Sequence, residues 1–285
     1  MHRQLDDLIP TLLISLADVC RRQGIHRGVT MSQSRKEVSP RLKARIAGFL
    51  YIIIIAGALF IPFAVAPSGL MLGDAALPTV AKILAARQLY ILSGVAQLIV
   101  AACDVGVALL LHELLKPVSK RLSFLAAFFR LVFAAIVIAN LFNHFAPLVL
   151  LTGSVHLGAF NPDQLDALAQ MFIRLRTTGL DIALVFFGIH CALVGFLLLR
   201  STFFPRILGL LMMIGGAGYM ANILACIIPY AVAARLFPYI MLPAGVAEIL
   251  LTTWLIIVGV NVAKWRAAAR TVERSNGFAS APDSK

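Results

Sequence analysis

Six stretches of about twenty or more mostly apolar residues dominate this chain, over about 44–66, 89–115, 122–145, 180–199, 207–228 and 239–262. Each is long enough to cross a hydrocarbon core of about 30 Å as a helix. Lipid offers the backbone no hydrogen-bond partners, so a crossing segment must satisfy its own N–H and C=O groups, and a helix does so within one segment. Only 13% of the 285 residues are charged, about half the share usual in soluble domains, and the mean hydropathy is +0.91. The sequence predicts an all-α integral membrane bundle of six transmembrane helices over residues 41–263.

The flanks differ. Residues 1–40 form a basic tail with Arg3, Arg21, Arg22, Arg27, Arg35 and Lys36. Its one apolar piece, Leu8 to Val19, is too short to span. Asp6 and Asp7 stand where a signal peptide would be basic. Met31 precedes a second basic lead, so residues 1–30 read either as an upstream extension from a mis-called start or as a tail. Residues 264–285 read as a polar cytoplasmic tail.

Two short amphipathic helices are expected in the outer loops. In GDAALPTVAKILAARQ, Asp74 can cap a helix that places Leu77, Val80, Ile83 and Leu84 on one side. In FNPDQLDALAQMFIRL, Asn161 is the cap, Pro162 takes the first helical position and Gln164 completes a capping box. Leu165, Leu168, Phe172 and Leu175 then form a stripe.

Orientation follows from Lys and Arg. Arg35, Lys36, Arg41, Lys43, Arg45, Lys116, Lys120, Arg121, Arg200, Arg206, Lys264, Arg266, Arg270 and Arg274 fall on the side carrying both termini, fourteen in all. Lys82, Arg87, Arg174, Arg176 and Arg235 make five on the other. The positive-inside rule makes both termini cytoplasmic, in a cell membrane. It also accounts for the net charge of +12, so no nucleic-acid partner is expected; the lipid bilayer is the partner.

Polar residues inside the spans are few, and each needs a partner or water. Residues 103–132, CDVGVALLLHELLKPVSKRLSFLAAFFRLV, read as a hairpin with an acid on one arm and a base on the other. Asp104 lies roughly 18 Å and Arg130 roughly 14 Å from its turn. Asp104 continues a stripe of small and polar residues with Gly94, Gln97, Ala101 and Ala108, a face suited to close helix packing. A structural ion pair between Asp104 and Arg130 is expected; a proton or substrate site is the other reading. A second polar layer is expected nearer the outer face, with Gln97, Asn140, His144, Asp181, Asn222 and Glu248 lining an outward-facing cavity. Glu248 and Asn222 are each placed roughly 24 Å from the cytoplasmic side. Interhelical hydrogen bonding without a ligand is the alternative for these six.

No metal site and no cofactor is predicted. His112, His144 and His190 share no depth, which argues against a haem held between helices, and the four cysteines form no CxxC. HExxH, GxSxG, Walker A and dinucleotide signatures are missing, so no catalytic motif is recognisable.

The pieces CDVGVALLLHELLKPVSKRLSFLAAFFRLV, LVFFGIHCALVGFLLLRSTFFPRILGLLM and NPDQLDAL resemble the bacterial membrane proteins of the domain-of-unknown-function 4386 family. The resemblance covers roughly Arg41 to Val262. It implies the membrane fold and brings no activity, substrate, cofactor or catalytic residue with it. Two function classes stand. One is a non-enzymatic membrane protein that binds or moves a small amphiphile, or partners another membrane protein, through the outer cavity. The other is a membrane-embedded enzyme using Glu248, Asp181 or His144 as acid or base.

Overall fold

The computed structural model describes residues 39–65, 80–151, 160–223 and 230–279. The basic tail before Ser39 and the end of the 207–228 stretch lie outside the described residues, as does the start of the first outer-loop helix with Asp74 and Leu77, whereas its Val80, Ile83 and Leu84 fall in a described helix. The described residues form helices and no strand. In chain order they are α1 Pro40–Val65, α2 Val80–Ala85, α3 Arg87–Leu115, α4 Lys120–Ala139, α5 Leu141–Leu151, α6 Pro162–Arg200, α7 Arg206–Ala221, α8 Tyr230–Ile257 and α9 Val262–Ala279.

The starts of these helices are written locally. Ser39 accepts from the Leu42 N–H at 3.2 Å, with Pro40 opening α1. Ser119 accepts from the Leu122 N–H and starts α4. At α6 the capping box is present: Asn161 Oδ1 accepts from Gln164 N and Gln164 Oε1 from Asn161 N, both at 2.9 Å, with Pro162 next. These contacts satisfy N–H groups that have no partner within the helix.

Four helical segments are long and apolar enough to cross a membrane: Pro40–Pro62, Arg87–Leu115, Lys120–Leu150 and Asp163–Arg200. Met241–Ile257 passes the same test together with Val262–Thr271 across a 100° bend, and α7 is a shorter apolar helix. Helices α1, α3, α4, α6, α7 and α8 pack each against the next, and α8 packs back against α1, closing a ring. The tightest seam joins α6 and α7. A Cβ on Gly188 would lie 2.6 Å from the Gly216 carbonyl oxygen, and one on Gly195 would lie 2.6 Å from that of Gly209. Two glycine pairs seven residues apart thus bring the backbones together, as small residues do between helices in lipid.

The structure corrects the sequence reading at three places. First, the second outer-loop helix and the fourth span are one helix of 39 residues, α6, about 58 Å long. Thr177, Thr178 and Gly179 weaken a helix without ending it. A Cβ on Gly179 would meet Asn140 Oδ1 at 2.7 Å, so a side chain there would displace the Asn140 amide. Second, the third span runs past Phe145 and through Pro147 to Leu150, with only a local turn at Asn140 between α4 and α5. Third, the last span does not reach Val262. The N–H groups of Val258 and Gly259 both donate to the Trp254 carbonyl, and Gly259 has φ 70°, a left-handed turn that ends helices and suits glycine. Asn261 Oδ1 then accepts from Lys264 N and caps α9. The predicted polar tail is therefore helical through Ala279, and Trp265 Nε1–H fastens it to the Leu114 carbonyl at 2.8 Å.

A candidate polar site inside the helix ring

Each of the six ring helices contributes one polar side chain at nearly the same height. Tyr51 is eleven residues from Pro40, Asp104 eleven from Leu115, Arg130 ten from Lys120 and His190 ten from Arg200. Glu248 is nine from Ile257 and Tyr219 thirteen from Arg206. At 1.5 Å per residue all six lie about 14–20 Å from the ends where Lys and Arg are concentrated.

Arg130 is the hub. It is fully buried, and Asp104 is 2% exposed. Its Nε–H and Nη2–H both donate to Asp104 Oδ1, at 2.9 and 2.6 Å. Nη1 donates to the Tyr51 hydroxyl at 2.7 Å and to His190 Nε2 at 3.1 Å. The Tyr51 and Phe187 rings lie against the guanidinium, 4.8 and 5.2 Å from its carbon, where a cation meets the negative face of a ring. His190 is fixed as a neutral tautomer. Its Nδ1 is 2.8 Å from the Ala126 carbonyl, so Nδ1 carries the hydrogen and Nε2 is left to accept from Arg130.

The other carboxyl is held differently. Tyr219 Oη–H donates to Glu248 Oε1 at 2.6 Å. Phe187 joins the two halves of the layer: its ring is 5.1 Å from that of Tyr219 and 5.7 Å from that of His190. Glu248 is 9% exposed and lies within electrostatic reach of Arg130 and Asp104.

The remaining predicted residues fall into two other groups. Asn222 Nδ2 donates to Asp181 Oδ1 at 2.8 Å, between α7 and α6. Asn140 and His144 lie where α4 and α5 meet α3 and α6. Asn140 Nδ2 donates to the Arg176 carbonyl at 2.7 Å. The His144 ring stacks on Tyr90, 4.2 Å between centroids, with Nε2 3.0 Å from the Tyr90 carbonyl. Tyr90 Oη–H donates to the His144 carbonyl in return. His144 Nδ1 is buried with no partner among the described residues. Gln97 is half-buried on α3. The structure thus seats Glu248 with Tyr219 and the Arg130 layer. The greater depth read from sequence rests on running the last helix past Gly259. Tyr51, Tyr219 and His190 are the site residues that the sequence reading leaves out; a tyrosine or a histidine inside an apolar run is their only signal. Among the described residues no three His, Cys, Asp or Glu side chains group closely enough to hold a metal ion.

A ring of long apolar helices closed around one charged layer defines an all-α bundle of the membrane-spanning class. Within that class the chain belongs to DUF4386, a domain of unknown function, whose family model matches residues 46–259. It is similar to an uncharacterized protein of the archaeon Archaeoglobus fulgidus, 34% identical over 156 residues, which is 55% of this chain and 76% of that one. No solved structure matches the chain.

Proposed function

We propose that this is a six-span cell-membrane protein with both termini cytoplasmic that binds or moves a small amphiphile carrying a cationic head, and that Glu248 is the group that engages it. The observation that carries this reading is the charge inventory of the central layer: one guanidinium and two carboxyls. Asp104 takes Arg130 directly, whereas Glu248 is bonded by the phenol of Tyr219. An ion in mid-membrane costs several kcal/mol unless it is balanced. Glu248 is therefore balanced by a proton or by a ligand's positive charge, and exchanging one for the other is a binding reaction.

Farther from the basic end than Glu248 and Tyr219 come Asn222, the residue that follows α7 and sixteen beyond Arg206, and Asp181, nineteen residues from the end of α6. These are roughly 24 and 28 Å from the basic end, so polar side chains continue outward from the layer. The sidedness of the Lys and Arg residues supports six spans and cytoplasmic termini.

The test is Glu248→Gln, which keeps shape and a hydrogen-bond acceptor for Tyr219. This variant is expected to melt within a few degrees of the parent while losing the co-purifying amphiphile in native mass spectrometry. Retention of that species at parental levels contradicts the proposal.

A further inference from the structure

At the basic end of the ring, the bend between α8 and α9 opens a groove of about 540 Å³. Arg41 from α1, Phe203 from the α6–α7 connection, Trp254, Gly259, Asn261 and Lys264 line it. Three features indicate what it takes. Arg41 and Lys264 are exposed and belong to no ion pair among the described residues. The Trp254 indole N–H, which can only donate, is buried without a partner among the described residues. Gly259 brings the Arg41 stem across the bend: a Cβ there would stand 3.2 Å from Arg41 Cγ. Two unpaired cations at one groove call for an anion with several acceptor oxygens, and the Trp254 N–H has no competing acceptor among the described residues.

The surroundings distinguish a lipid from a dissolved ion. Val258 and Val262 also line the groove, and Val258 and Ile257 are exposed apolar residues at the end of a span. Helix α9 leaves α8 at 100°, packs Trp265 and Ala268 against the core and leaves Lys264, Arg266 and Arg270 exposed. That is the geometry of a helix lying in the membrane interface. We infer that this groove binds the phosphate headgroup of an anionic glycerophospholipid, with Arg41 and Lys264 on the phosphate oxygens and the Trp254 N–H donating to one of them.

The experiment titrates the full-length protein in neutral detergent with phosphatidylglycerol or phosphatidylcholine and counts retained lipid by native mass spectrometry. A cation near anionic headgroups contributes about 1 kcal/mol, roughly a fivefold change in binding. Arg41→Gln with Lys264→Gln should therefore weaken phosphatidylglycerol retention roughly twenty- to thirtyfold and leave phosphatidylcholine unchanged. Trp254→Phe keeps the ring and removes the N–H; it should weaken phosphatidylglycerol retention by about tenfold, the effect of one hydrogen bond to a charged group. Arg270→Gln, on the same helix outside the groove, should change little. Equal losses from Arg270→Gln mean a diffuse basic surface and overturn the inference. Displacement of phosphatidylglycerol by millimolar inorganic phosphate makes this a soluble-ion site and overturns it as well.

Discussion

Arg130 shows how a buried charge is tolerated at the scale of one residue. Asp104 supplies the counter-charge, Tyr51 and His190 take up further N–H groups, and two aromatic faces cover the guanidinium. Breaking such a pair strands a charge and costs about 3–5 kcal/mol. Asp104→Ala and Arg130→Ala are each expected to lower folded yield and melting temperature sharply, with the double variant milder than the sum. Simple additivity in that cycle contradicts the pair's role. Arg130→Lys keeps the charge but loses the planar fork, so it should also destabilise. A charge inside an apolar run is conspicuous in sequence, which makes Asp104 and Arg130 easy to single out. Tyr51 and Tyr219 are not, because a tyrosine in a span reads equally well as packing or as an interfacial anchor.

Helix ends at the scale of the element are where apolar sequence says least. The run through Ile257, Val258, Gly259, Val260 and Val262 stays hydrophobic, so composition carries the last span straight past its true end. The stop is conformational: Gly259 turns left-handed and Asn261 restarts the chain as α9. That difference of about five residues moves Glu248 from the outer half of the bundle into its middle. The length of α6 escapes for the opposite reason, since a change from polar to apolar character resembles a boundary although nothing there breaks the helix. Gly259→Ala forces a Cβ into the left-handed region, at a cost of roughly 1–2 kcal/mol, and against Arg41. It is expected to lower the melting temperature by several degrees and to loosen α9, read as faster backbone hydrogen exchange over Val262–Arg270. Unchanged exchange there means that the bend does not depend on this glycine. At the α6–α7 seam, Gly216→Ala would bring its Cβ within 2.6 Å of the Gly188 carbonyl oxygen. Overpacking of this kind typically costs about 1–3 kcal/mol, and thermal unfolding in detergent measures it.

The ring gives the whole molecule its logic. Six helices with largely apolar outer faces each turn one polar side chain inward at one height, and the layer divides its charges unequally. Asp104 and Arg130 neutralise each other and hold α3 to α4. Glu248, on the helix that closes the ring between α7 and α1, is bonded by the Tyr219 phenol instead, and in the proposed function it takes a proton or a ligand. Reporter fusions after Leu115 and Val262 should read cytoplasmic and one near Gly153 external; an external reading after Val262 contradicts the six-span arrangement. The division of the two carboxyls is tested most directly by infrared spectroscopy of the ligand-stripped protein in detergent. The account predicts a protonated-carboxyl C=O band from a dehydrated site that disappears in Glu248→Gln and persists in Asp104→Asn. A band that survives Glu248→Gln and is lost in Asp104→Asn would contradict it.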